Sequence, residues 1–282
     1  MATGQFEIID VHMHSWPRDI NDLHYPHKLS IPDEQVFDDT AAQMDKLGIG
    51  LGVLSGPNNI TAEWCKRAPH RFIASWLPDS VILNPDEEAE KFKDAIDNQG
   101  FRGLGELFVQ YYFGVAANDQ RFFPLYRVCQ ERNLPVFIHT GLNGPDYHRE
   151  TPSFRVSLCD PLLLEDVVVA FPRLKIVMDH MSFPFTEQAT YMLFVHSNVY
   201  MDIGVVDWCI GRAGFHRLLR QVTETAGPDK ILFGSDQMNM PQMIPVAVSA
   251  IQEASFLSEE DKRKILGDNA RKLLGINVAG EQ

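Results

Sequence analysis

The feature that most restricts how this chain can fold is a repeated alternation. Short apolar runs of strand length are followed, again and again, by longer stretches with apolar residues at helical spacing. The first run is 8–14, Ile8-Ile9-Asp10-Val11-His12-Met13-His14. After a polar loop at 15–33, Val36, Thr40, Met44 and Leu47 recur at helical spacing over 33–47, and Gly48 ends that helix. Further strands are expected at 50–55, 71–77, 101–107, 134–140, 174–181, 199–203 and 230–234. Helices are expected between them at 61–70, 85–98, 119–133, 162–171, 187–197 and 215–226, and then at 241–254 and from 258 to 274, where Ser258-Glu259-Glu260-Asp261 forms a capping pattern. Parallel strands need crossover connections, so this regular alternation implies a parallel sheet. Eight such units without a linker, in a chain of 282 residues, predict a single-domain α/β fold, the closed (β/α)8 TIM barrel over residues 1–282. An open doubly wound sheet would place a glycine-rich phosphate loop after an early strand, and none is present.

Composition narrows the function classes. Hydrophobic residues make up 45%, enough for a large core, and the net charge is −13. An acidic chain is a poor partner for nucleic acid or an anionic membrane, so neither is expected. Residues 1–7 lack a basic segment and an apolar core of a signal peptide, and no apolar run reaches membrane-span length. Cys65, Cys129, Cys159 and Cys209 are widely spaced and read as free thiols, so a cytoplasmic location is expected.

Barrel enzymes carry their chemistry at the C-terminal ends of the strands. There the sequence places His12 and His14 on strand one, Glu106 on strand four, His139 on strand five, His180 on strand six and Asp236 on strand eight. His12 and His14 are two apart, so a strand points both to one face. Each residue has a plainer reading by itself. Either His139 or His180 can be a hydrogen-bonded core residue, Glu106 a partner for Arg102, Asp236 a helix cap, and Asp179 a structural acceptor turned away from His180. Together, imidazoles and carboxylates on five strand ends point to a metal centre for Zn2+, with Mn2+ or Fe2+ as rivals.

Several segments resemble the amidohydrolase superfamily: 9–14, the Ile138-His139 strand end, Phe171-Pro172-Arg173-Leu174-Lys175-Ile176-Val177-Met178-Asp179-His180, Leu232-Phe233-Gly234-Ser235-Asp236, and 267–275. More narrowly they look like the amidohydrolase-related group that includes aminocarboxymuconate-semialdehyde decarboxylase and several metal-dependent hydrolases. The resemblance implies a distorted barrel with one or two ions at its mouth and His12, His14, His139 and Asp236 as ligands. It also implies that His180 activates water or binds a second ion; homodimers are common in the resembled group, although the oligomeric state is not readable from the sequence. Glu106 resembles the bridging ligand of some binuclear hydrolases, such as TatD-like deoxyribonucleases, or it supports a ligating histidine.

The expectation that follows is a metal-dependent hydrolase of an amide, ester or lactone. Asp236 would take the proton of a metal-activated water, and His180 would polarise the carbonyl. The alternative is metal-dependent, non-oxidative decarboxylation of an aromatic or muconate-like acid. Trp16, Arg18, Tyr111, His148 and Arg149 lie on the expected rim loops and suit a small carboxylated or aromatic substrate.

Overall fold

A computed structural model describes residues 8–16, 33–79, 83–144 and 152–276. Eight parallel strands lie in sequence order in one sheet. They are β1 (Ile8–His14), β2 (Ile49–Ser55), β3 (Phe72–Trp76), β4 (Gly103–Leu107), β5 (Pro135–Ile138), β6 (Lys175–Met178), β7 (Val199–Asp202) and β8 (Ile231–Leu232). The barrel closes where β8 runs into its following loop: Val11 N donates to Phe233 O at 2.9 Å, and Asp236 N donates to His12 O at 2.8 Å. The fold is therefore a single-domain (β/α)8 barrel.

The connections are helical because their apolar residues fall on one face. They are α1 (Asp33–Leu47), α2 (Asn58–Arg67), α3 (Pro85–Asp94), α4 (Val109–Tyr112), α5 (Phe123–Arg132), α6 (Glu165–Ala170), α7 (Thr186–Val195), α8 (Val206–Cys209), α9 (Arg212–Ala226), α10 (Met243–Gln252), α11 (Glu259–Arg263) and α12 (Asn269–Leu274). In α9, Phe215, Leu219 and Val222 are buried, three or four residues apart, as a helix packed on a sheet requires. The helix expected at 85–98 ends as α3, widens into a π-turn over Ala95–Gln99 and stops at Gly100 in the left-handed region. The capping pattern before α11 is realised: Asp261 N donates to Ser258 Oγ, and Ser258 N donates to the Asp261 carboxylate. The short helices α4 and α8 carry no periodic signal and were not expected.

Two layers of core result. Ile9, Val11, Val53, Phe137, Val177 and Leu232 fill the barrel interior, and Ala270 and Leu273 of α12 pack against them. A larger layer lies between strands and helices, with Met13, Leu54, Leu104, Ile138, Met178 and Met201 on the strand side. Along β1 the pairing with β2 shifts register between Asp10 and Met13. Ile9 and Val11 belong to the apolar interior, and the shift, which spans Val11 and His12, lets His12 join His14 at the barrel mouth. Among the described residues no helix is long and apolar enough to cross a membrane.

Candidate metal centre

His12, His14, Glu106, His139, His180 and Asp236 converge at the mouth and are all buried. The strand-end positions explain most of this, and glycines explain the rest. Gly105 has φ +110°, and a Cβ there would stand 2.2 Å from the Phe137 carbonyl oxygen. Only glycine lets β4 lie this close to β5 and deliver Glu106 to the centre. Gly234 plays the corresponding part just after β8, where a Cβ would stand 2.6 Å from the His12 Cβ.

Glu106 sits in the middle. Its Oε2 lies 3.3 Å from His12 Nε2 and 3.4 Å from His14 Nε2. Its Oε1 lies 2.6 Å from His139 Nδ1 and 3.1 Å from His180 Nε2. Asp236 Oδ1 stands 3.0 Å from His14 Nε2 and 3.8 Å from His12 Nε2, and its Oδ2 is 3.7 Å from His180 Nδ1. Asp236 caps no helix, since α10 begins only at Met243. Glu106 does not pair with Arg102, whose guanidinium donates to the Ile96 and Phe101 carbonyls instead.

A third carboxylate supports the cluster from behind. Asp202, at the end of β7, meets His12 Nδ1 at 2.7 Å through Oδ2. Its Oδ1 accepts from the backbone N–H groups of His180 and Gly204. With Nδ1 donating to Asp202, the Nε2 lone pair of His12 faces the centre, the arrangement that fixes a ligating imidazole. His139 is held in the opposite sense. Its Nε2 is 2.7 Å from Leu142 O and 2.9 Å from the Tyr111 hydroxyl, while Nδ1 faces the centre.

The electrostatics follow from burying many opposite charges together. Burial alone would lower the His12 pKa, but Asp202, Asp236 and Glu106 raise it well above the usual imidazole range. Burial likewise works against His180, and Glu106 reverses it, so that its pKa is raised. His139 is shifted down, mainly by burial. Burial works against ionised Glu106, yet His12, His139 and His180 hold it well below the usual carboxylate range. Asp202 is brought down to about 2, burial being outweighed by His12. Asp179, expected as a structural acceptor, is buried beside Asp202; burial and that neighbour raise its pKa well above the usual value.

The donor set fits a divalent cation. Ligand bonds of about 2.0–2.2 Å place neighbouring donor atoms about 2.9–3.5 Å apart around one ion. The distances from His14 Nε2 to Asp236 Oδ1 and from Glu106 Oε2 to both histidines are 3.0–3.4 Å. His14 Nε2 and Asp236 Oδ1 are buried and make no hydrogen bond although they face each other, as two atoms aimed at a shared cation would. Among the described residues three groups, all sharing His12, could hold an ion: His12, His14 and Asp236; His12, Glu106 and His180; and, behind them, His12, Asp179 and Asp202.

The remaining expected residues divide. Trp16 is half-buried and stacks on the His14 ring at 5.9 Å and 29°, and it also meets Phe108 at 5.8 Å and 51°. Tyr111, expected to touch substrate, is buried beside His139, with its hydroxyl against His139 Nε2 and its ring stacked on Phe154 at 4.5 Å. Arg18, His148 and Arg149 lie outside the described residues. Asp202 and Gln237 are the residues that the sequence reading missed. Asp202 carried the same strand-end signal as its neighbours; Gln237 carried none.

The comparisons with known proteins agree with this geometry. Protein fluG of Emericella nidulans is 27% identical over 122 residues, which are 43% of this chain and 13% of that protein, so this chain matches only a small part of it. The crystal structure of 5-carboxyvanillate decarboxylase LigW from Sphingomonas paucimobilis has a TM-score of 0.68 at 17% identity, over 97% of this chain and 100% of the other. A dihydroxybenzoic acid decarboxylase from Polaromonas sp. JS666, with bound manganese and the inhibitor 2-nitroresorcinol, gives 0.68 at 17% identity over 98% of each chain. The amidohydrolase family model matches residues 9–276, nearly the whole chain, and the chain belongs to that family of barrel enzymes.

Proposed function

We propose that this protein is a metal-dependent decarboxylase of a small aromatic or similarly planar carboxylic acid. The observation that carries this reading is the aromatic surface beside the cluster: Trp16 stacked on His14, with Phe108 tilted at 51° against it. A ring lying on that surface would present a carboxylate, with an adjacent oxygen, to the cation site. The likeness to structures of benzoate-type decarboxylases supports the same choice.

His12, His14 and Asp236 would hold the ion, with Glu106 Oε2 within 3.4 Å of both histidines and His139 Nδ1 against the other Glu106 oxygen. A bound Mn2+ or Zn2+ supplies positive charge that grips the substrate's carboxylate and neighbouring oxygen. The chain's own residues do the rest. His180 has its pKa raised by Glu106 against the pull of burial, and its Nδ1 lies 3.2 Å from the Gly204 carbonyl oxygen, which leaves Nε2 toward the centre. It holds the proton that the substrate carbon needs when the bond to CO2 breaks and its electron pair stays behind. The exchange of CO2 for a proton needs no oxidant or reductant.

A second reading is favoured by one observation. Each oxygen of Glu106 faces a different pair of imidazoles, an arrangement suited to two ions sharing one carboxylate. That would suit hydrolysis of an ester, amide or lactone, with Asp236 moving the proton and His180 on the carbonyl oxygen. A panel of hydroxylated and methoxylated benzoates and unsaturated dicarboxylates, assayed for CO2 release with Mn2+- and Zn2+-loaded protein, separates the two. Release of CO2 from any member supports the decarboxylase. Turnover of esters, amides or lactones with no CO2 from the acids would replace it with the hydrolase.

A further inference from the structure

The loop after β8 leaves the barrel ladder earlier than the chemistry requires. Asp236 N still donates to His12 O, but Asp236 and Met238 have φ of +44° and +53°, so the backbone turns away from β1. The backbone of His14, two residues further along β1, is then left without a strand partner on that side. The Gln237 side chain takes the missing place. His14 N donates to Gln237 Oε1 at 3.0 Å, and Gln237 Nε2 donates to His14 O at 2.8 Å. Only one orientation of the carboxamide satisfies both bonds, so the amide acts as a peptide group supplied by a side chain. Gln237 is fully buried.

We infer that Gln237 is a positioning residue that sets the separation of His14 and Asp236 for the cation, an inference that rests on the metal reading above. The argument is mechanical. Asp236 is covalently joined to Gln237, Gln237 grips the His14 backbone, and His14 Nε2 returns to within 3.0 Å of Asp236 Oδ1. A closed ring of this kind fixes the distance between two donor atoms on opposite sides of the barrel seam. Without the amide, His14 keeps its tie to β2, where it pairs with Ser55, while the β8 loop stays tied to β1 through His12 and Asp10 and to α8 through Trp208 Nε1 donating to Ser235 O, none of which reaches His14. The backbone that carries one ligand is then free to drift from the other. A loss of a few tenths of an ångström in fit is expected to weaken binding as other supporting groups do, by 10–100-fold.

The test uses the full chain and Mn2+ alone, with the dissociation constant measured by competition against a chromophoric chelator. Gln237→Met keeps the length and removes both bonds; Gln237→Glu keeps an acceptor for His14 N and loses the donor to His14 O. The thermal midpoint of each metal-free protein is measured alongside. We expect at least a tenfold weaker Mn2+ constant for Gln237→Met, an intermediate value for Gln237→Glu, and metal-free midpoints within a few degrees of the unsubstituted chain. If the Met variant does not fold, the Glu variant decides by the same criterion. Unchanged Mn2+ constants, with or without a lower metal-free midpoint, would make Gln237 a seam closure only and overturn the inference. Failure of the unsubstituted chain to bind Mn2+ would instead remove the metal reading itself.

Discussion

Asp202→Asn perturbs the centre without touching an atom expected to reach the cation. Asp202 makes three contacts at once: Oδ2 with His12 Nδ1 at 2.7 Å, and Oδ1 with the backbone N–H groups of His180 and Gly204 at 3.0 and 2.9 Å. All three call for an acceptor. An asparagine has one acceptor oxygen and one donor nitrogen, so either orientation places an NH2 against a donor. If the NH2 faces the two backbone groups, the His180 turn is pushed outward. If it faces His12, the ring must accept at Nδ1 and carry its proton on Nε2, which turns a ligand atom into a donor. The loss also removes a buried charge-assisted bond worth about 1.5–3 kcal/mol. Metal affinity should fall by about 10–100-fold, equivalent to about 1.4–2.7 kcal/mol. Chelator competition with Zn2+ and Mn2+ measures it, and crystallography of the variant shows whether His12 has turned. A dissociation constant within twofold of the unsubstituted chain, with His12 in place, would refute the assignment of Asp202 as the group that sets the His12 tautomer.

Other consequences follow from the same geometry. Gly234→Ala places a methyl group 2.6 Å from the His12 Cβ; metal content should drop to a small fraction of the unsubstituted value while circular dichroism keeps the helical signal, and full metal content would contradict the packing argument. Tyr111→Phe removes the hydroxyl against His139 Nε2 but leaves Leu142 O as that nitrogen's partner; the expected loss is a few-fold in kcat/KM with little change in KM, and a large rise in KM would restore Tyr111 as a substrate contact. In the metal-free protein, Asp202 titrates near 2 instead of 3.8, so its contribution is present above pH 4 and lost as the pH falls toward 2. His12 has the opposite sign: its raised pKa gives a contribution present below 6.5 and lost as the pH rises through the folded value. Urea midpoints between pH 2 and 5 should therefore fall less steeply for Asp202→Asn than for the unsubstituted chain, and parallel curves would contradict this.

How much of this could be read in the sequence depended on the range of the interactions involved. The barrel is written locally: Val36, Thr40 and Met44 mark the buried face of α1, and the same logic places each strand. The cluster was legible because strand ends share one rim, which brings His12, His14, Glu106, His139, His180 and Asp236 together. Asp202 ends β7 and obeyed the same rule, so it was available to the reading. The closure between β8 and β1 was not. Its backbone bonds are completed by the side chains of Asp10 and Gln237, whose partners lie more than two hundred residues away, and a side chain that replaces a peptide group leaves no pattern in composition or periodicity. Tyr111 was assigned by its loop, but its direction is set by packing on Phe154, which belongs to the far end of the following loop. The choice between hydrolysis and decarboxylation is weakly encoded, because both chemistries use imidazoles and carboxylates around a cation. It depends on what the mouth above them accepts.

The most direct measurement is metal content per chain, by elemental analysis of protein purified without added metal and again after loading with Mn2+, alongside a His12→Ala, His14→Ala double variant. The account predicts about one ion per chain or more in the unsubstituted protein and almost none in the double variant, with both folded. No bound ion after loading, or equal content in the two proteins, would contradict the assignment of this rim as a metal centre.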